Sequence, residues 1–270
     1  MEDEEALDTW IAIHGERLLK DLAGFLLPKI DAMRQANPNL RLLDVGNEGD
    51  KMAPTFARLI PNIHVTSIIP NSQLQEMQES AEKAGITNIV FKQGALKNLP
   101  FDNDTFDVTH AQHMLCQTPE PWDVLREMLR VTKKGGVVAI HELDWESLLF
   151  WPELLGLIKF QDTTLKMFAI FGGSTTAARE LMPWALKAGA RRSQITLNYD
   201  IWQSVTQSAR ENSGKLYIDR IQTHETFAKL RDMDMLKNYD LEEMVRDLRE
   251  WSWRDDASEA MFSGSMLIVK

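Results

Sequence analysis

The chain has 270 residues, 44% of them hydrophobic, enough to bury a substantial core as one large α/β domain or as a domain with a helical cap. A net charge of -10 argues against a nucleic-acid-binding surface, which needs clustered Lys and Arg to neutralise phosphates. The chain lacks an apolar run long enough to span a membrane, begins with the acidic MEDEEALDTW unlike a secretory signal, and has only Cys116, so neither a disulfide nor a thiolate zinc cage is expected and a cytoplasmic protein is.

Residues 16–33 carry apolar side chains at helical spacing, interrupted at Pro28, and a turn follows at Asn37-Pro38-Asn39. Leu40–Val45 reads as a short buried strand ending at Asp44 and Gly46. Met52–Ile60 reads as a helix, Ile63–Ile69 as a strand, and Ser72–Ala84 as a helix closed by Gly85. Asn88–Gln93 is a third strand, Phe106–His110 a fourth, Pro121–Arg130 a helix and Gly136–Glu142 a fifth strand. Strands alternating with single helices predict βαβ units and a parallel sheet, with ligands beyond the carboxyl ends of the strands where strand order switches. Residues 152–170 and 176–188 then read as helices, Gln194–Ile201 as a strand, 205–253 as mostly helical and charged, and Met261–Val269 as a last strand. A long helical stretch before the final strand suggests a cap over the crevice. Its charged runs read as solvated helix faces. Eight Trp and 13 Met are many for this length; they fit either an ordinary core with Met as filler or a pocket for a large apolar ligand.

The run LRLLDVGNEGD, the phrase LPFDNDTFDV and the helix LREMLRVTKKGG, together with Glu180-Leu181-Met182-Pro183-Trp184 and LREWSW, resemble class I S-adenosylmethionine (SAM) methyltransferases of the ubiquinone/menaquinone-methyltransferase-like small-molecule group. The resemblance covers roughly residues 15 to 270. It implies a Rossmann-like α/β fold: a seven-stranded, mostly parallel sheet with the last strand inserted antiparallel, and an added helical cap. A single domain is expected, with an N-terminal helical segment (1–36), a Rossmann-like core (37–145), cap elements (146–190 and 203–255) and the last strand (261–269).

In that family the loop after the first strand reads D-x-G-x-G-x-G, its glycines admitting backbone close to the cofactor. Here Asp44 and Gly46 match, but the next glycine positions hold Glu48 and Asp50, and an anionic Glu48 near the SAM carboxylate would disfavour binding. The acidic residue that accepts hydrogen bonds from the ribose hydroxyls is replaced by Ile69. The Asp that follows Gly94 and contacts adenine is replaced by Ala95. Each lost buried partner costs roughly 1–3 kcal/mol, so SAM is weakened by about a hundredfold or more. The cofactor crevice therefore reads as vestigial. No cofactor is expected to be required, and SAM remains a weakened ligand.

The polar residues predicted to face the crevice are His110, Gln112, His113 and Cys116 after the fourth strand, and His141, Glu142 and Asp144 on the fifth, with Trp145 and Trp151 beyond. A His there is a candidate general base, its ordinary pKa lying near neutrality. Equally, His110 and His141 could be satisfied polar groups of the core. His113, Asp144, His110, Gln112 and His141 are the catalytic candidates, and Trp145, Trp151, Cys116 and Arg179 the candidate substrate pocket. The Gly-rich Phe171-Gly172-Gly173-Ser174 precedes the Arg179 helix and is expected to position the cap or a substrate polar group. His14, His64 and His224 have no metal-ligand spacing, and hydrolase or zinc motifs are absent from the sequence.

The first expectation is an enzyme that keeps the fold and has left methyl transfer, catalysing a cyclisation or pericyclic (Diels–Alder-type) step on an apolar small molecule of secondary metabolism, as methyltransferase-like fungal pericyclases do. Such a step needs mainly one reactive conformer held in place and a few hydrogen bonds to a polarised carbonyl. The alternatives are a SAM-dependent methyltransferase of a small-molecule secondary metabolite and a non-catalytic partner subunit. An apolar small molecule is the expected partner, with no nucleic acid or membrane, and the cap is the candidate surface for a homodimer.

Overall fold

The computed structural model describes residues 25–46, 52–60, 62–69, 74–223 and 225–270. Glu48, Asp50, His14, His224 and the first part of the helix expected over 16–33 lie outside the described residues. In chain order the described elements begin with α1 (Leu27–Ala36), β1 (Arg41–Val45), α2 (Met52–Leu59), β2 (His64–Ile69), α3 (Leu74–Lys83) and β3 (Ile89–Gln93). Then come β4 (Phe106–Gln112), α4 (Pro121–Val131), β5 (Thr132–Leu143), β6 (Leu149–Trp151), α5 (Leu155–Phe171), α6 (Ala177–Ala188) and β7 (Ile195–Ser204). The cap helices α7 (Gln207–Thr223), α8 (Glu225–Asp232) and α9 (Asn238–Trp253) follow, and β8 (Ser258–Val269) closes the chain.

The strands join in the order β3-β2-β1-β4-β5-β8, parallel as far as β5, with β8 antiparallel and β7 on its far edge. The predicted Rossmann-like fold with a last antiparallel strand is the observed one. The sheet has eight strands rather than seven, because Leu149–Trp151 pairs with Ser258–Ala260 on the edge of β8 that also pairs with β5. A three-residue run is too short to show a period in sequence. β5 also begins earlier than Gly136, since Thr132 already pairs with Phe106.

Two apolar layers cover the sheet. Leu26 just before α1, with Ile30, Phe56 and Ala81 from α1, α2 and α3, packs on Leu42, Val65, Val108 and Ala139. On the opposite face Val124, Met128, Leu181 and Ala185 of α4 and α6 pack on Leu43, Ala111, Val138 and Ile140, in one cluster with Phe160, Tyr217 and Trp251 of the cap. The alternation of side chains along each strand thus sends consecutive residues into different environments. That alternation divides the functional side chains between two faces.

Among the described residues no helix is long and apolar enough to cross a membrane. Two of the charged residues expected to lie on solvated faces in 205–253 are instead inside. Arg210 and Asp247 are buried. Their partners explain it: Arg210 donates to the Val205 carbonyl, and Asp247 accepts from the Gly156 amide.

Candidate active site at the carboxyl ends of the strands

Strand order reverses between β1 and β4, and there Asp44 and His110 are partners in register. Their side chains meet at 2.7 Å, His110 Nδ1 to Asp44 Oδ1, and both are 1% exposed. Phe56 of α2 stands edge-on against the His110 ring with centroids 4.9 Å apart. Gln112 and His141 lie further along the same face, and His141 Nδ1 shares a 2.8 Å hydrogen bond with Ser265 Oγ of β8. Burial, and then the nearby His110, push the His141 imidazole down to about 4, so it is neutral at pH 7.

The opposite face carries a different group. Glu142 is fully buried, and its Oε1 accepts the backbone N–H groups of Met114 at 3.1 Å and Leu115 at 2.7 Å. Burial raises its pKa to about 7 against the lowering effect of the Cys116 thiol and of the backbone N–H groups of Leu115, Cys116 and Met114. Its Oε2 has no hydrogen-bond partner. These bonds hold the turn after β4, where His113 adopts a left-handed backbone with φ 49° and donates its N–H to the His141 carbonyl at 2.9 Å. His113 and His141 rings lie 5.3 Å apart. Left-handed non-glycine residues of this kind concentrate at functional sites. Cys116, buried in the same turn, has its thiol pushed well up by burial and by the carboxylate of Glu142.

The cap closes on this turn. Ser174 donates its N–H to the Cys116 carbonyl at 2.8 Å, and a Cβ on Gly173 would stand 2.4 Å from that same oxygen. The Gly-Gly turn therefore packs backbone to backbone on the turn after β4. Phe168 of α5 packs on Trp145, and Arg220 of α7 lies 5.2 Å over the Trp145 ring. One turn earlier on α5, the fully buried Thr164 has a hydroxyl without a hydrogen-bond partner.

The remaining candidates separate. Asp144 is buried and holds Arg179 through both oxygens, Nε to Oδ2 and Nη2 to Oδ1 at 3.0 Å, while Glu146 takes Nη2 at 2.9 Å. Arg179 is thus engaged by two carboxylates, and its pKa is raised by them. Trp145 is buried beside the cap, whereas Trp151 is 62% exposed on β6 and takes part through its carbonyl, which accepts from Trp251 Nε1 at 3.1 Å. Sequence reasoning did not single out Arg220, Tyr217 or Thr164. The signal was the pair Tyr217 and Arg220, three apart and so on one face of a helix, inside a run read as solvent-facing.

An α/β sheet of this order and direction, with its polar groups at the carboxyl ends of β1, β4 and β5, defines a class I methyltransferase fold. A family model described as a methyltransferase domain matches residues 36–189, more than half of the chain, and the chain belongs to that family. It is 28% identical over 240 residues to an uncharacterized methyltransferase of Schizosaccharomyces pombe, spanning 85% of this chain and 83% of that protein. The ubiquinone/menaquinone biosynthesis C-methyltransferase UbiE of Vibrio parahaemolyticus is 32% identical over 110 residues, 40% of this chain and 42% of that protein. Among solved structures, the (4+2)-cyclase SpnF shares the fold with a TM-score of 0.50 at 20% identity, over 87% of this chain and 79% of that one.

The family implies SAM, and the described residues test the fit of its nucleoside half. At the end of β2 stands Ile69, 1% exposed and apolar, and after β3 stands Ala95. Neither side chain offers an acceptor to a ribose hydroxyl or an adenine amino group. Asp44 at the end of β1 is already hydrogen-bonded to His110. At these positions the residues present do not fit the cofactor.

Proposed function

We propose that this chain is an enzyme on a methyltransferase scaffold that works without a methyl donor, catalysing a cyclisation or pericyclic step on a mostly apolar small molecule bound between the sheet and its cap. The observation that carries the reading is Ile69, buried and apolar where the nucleoside needs an acceptor. Glu142 is the group best suited to the chemistry. With Oε1 occupied by two N–H groups, the proton of its neutral form resides on Oε2. A carboxylic acid whose pKa is raised to about 7 keeps a large protonated fraction near neutral pH, and that form donates a hydrogen bond to a carbonyl as charge develops on it, in a site where such bonds are strengthened by low dielectric. Trp145, Phe168 and Cys116 supply apolar surface that favours one folded conformer of a flexible substrate. On this reading Asp144 and Arg179 are positioning residues that tie the end of β5 to α6, and His141 and His110 hold the sheet end in shape.

Methyl transfer is the second reading, favoured by the family match over residues 36–189 and by the relative that spans most of the chain. Calorimetric titration with SAM and S-adenosylhomocysteine separates the two. The first reading expects no heat of binding at millimolar ligand. Micromolar binding of either ligand would overturn it and leave methyl transfer in its place.

A further inference from the structure

Arg220 stands over the Trp145 ring with no carboxylate partner among the described residues. It reaches from α7 over Trp145, just past the end of β5, and its Nε is closed to solvent and without a hydrogen-bond partner. Among the described residues no carboxylate forms an ion pair with it, although the cap is rich in acidic side chains. Desolvation lowers its pKa, a cost that an ion pair would have offset. Thr164 shares the arrangement: fully buried, its hydroxyl makes neither the usual bond to a preceding helix carbonyl nor any other.

The aromatic contacts locate these two groups relative to each other. Thr164 lies one turn after Phe160, which packs on Tyr217 at 4.9 Å, and one turn before Phe168, which packs on Trp145. Tyr217 and Arg220 are one turn apart on α7, and Arg220 covers Trp145. Thr164 and Arg220 therefore sit on the facing stripes of α5 and α7, between two aromatic pairs. Beneath them the Cys116 thiol lies within electrostatic range of both Arg220 and Glu142. Two unsatisfied donors on facing helices, floored by aromatic surface, match a planar oxyanion attached to an apolar body.

We infer that Arg220 and Thr164 form an oxyanion subsite under the cap, which selects substrates bearing one carboxylate or acidic enolate and aligns their apolar remainder along Trp145 and Phe168 toward Glu142. The inference rests on the reading above that the substrate lies between sheet and cap, and it names the substrate class.

The test uses cinnamate and its near-isosteric neutral amide, cinnamamide, titrated calorimetrically into the full chain at pH 8 without SAM. A charge-assisted hydrogen bond in a desolvated site predicts that cinnamate binds about tenfold or more tighter than the amide. Arg220→Gln should bring the two affinities together while leaving that for the amide unchanged, and Thr164→Val should lower the preference for cinnamate severalfold. Phenylglyoxal modification of the wild-type chain, mapped by peptide mass, gives a readout independent of any variant's folding. Cinnamate should protect Arg220 and cinnamamide should not. Equal affinities, no binding of either probe at millimolar concentration, or a preference that survives Arg220→Gln would overturn the subsite. Tight SAM binding would remove the cofactor-free reading and leave this result standing.

Discussion

Glu142 and His141 are neighbours on β5 whose side chains leave opposite faces, and burial moves their ionisation in opposite directions. Glu142 is raised from 4.5 to about 7, so the fold retains a proton that the unfolded chain releases. Its stabilisation is full below pH 4.5 and is lost as pH rises to 7. His141 is lowered from 6.5 to about 4, so the fold refuses a proton that the unfolded chain takes up. Its stabilisation is full above pH 6.5 and is lost as pH falls to 4. Each is worth about 3 kcal/mol at most, and between pH 4.5 and 6.5 the two slopes oppose. Relative to wild type, Glu142→Gln should gain melting temperature as pH rises through that interval, and His141→Gln should lose it. Differential scanning fluorimetry across pH measures both, and equal slopes in the two variants would refute the assignment. At this scale the sequence shows which residue types stand where: Ile69 and Ala95 are legible as departures from the family pattern. Their partners are not. Asp44 with His110 and Asp144 with Arg179 are separated by 66 and 35 positions, and only the folded register brings them together.

Elements were legible where a period of 2 or 3.6 runs long enough, and their limits shifted where tertiary pairing extends them. β4 continues two residues past His110 and β8 starts three before Met261, because neighbouring strands offer ladder partners there. The cap was legible as helices but not as packing. Gly156, at the start of α5, shows the difference. Its N–H donates to Asp247 Oδ2 at 2.7 Å, and a Cβ would stand 2.5 Å from the Glu243 carbonyl oxygen. α5 and α9 therefore approach backbone to backbone, braced by Lys159 between Asp240 and Glu243 at 2.6 and 2.8 Å. Helix propensity alone favours Gly156→Ala by up to about 1 kcal/mol. The clash outweighs it, and the variant should lose about 1–3 kcal/mol, read from the urea midpoint at unchanged slope. A neutral or stabilising result would mean that the two helices stand further apart.

On the scale of the molecule, the architecture divides two tasks between the faces of one sheet. At the β1/β4 switch, where ligands of such sheets bind, stands the buried Asp44–His110 pair, with the buried Ile69 at the end of the neighbouring β2. The unsatisfied polar groups Glu142, Thr164 and Arg220 lie on the other side, under the cap. A fold that had merely weakened its cofactor would be expected to regain it when the missing acceptors return. Ile69→Asp with Ala95→Asp places a carboxylate at each of the two nucleoside positions. With a native far-ultraviolet spectrum as the control for folding, saturating S-adenosylhomocysteine at 100 times Kd would stabilise the double variant by about 2.7 kcal/mol. That corresponds to a rise of several degrees in Tm for a chain of this size, at about 2–4 °C per kcal/mol. Wild type should not move under the same conditions. A shift in wild type would restore methyl transfer. No shift in a folded double variant would show that the crevice is closed by more than these two side chains, with the buried Asp44–His110 pair as the next position to open.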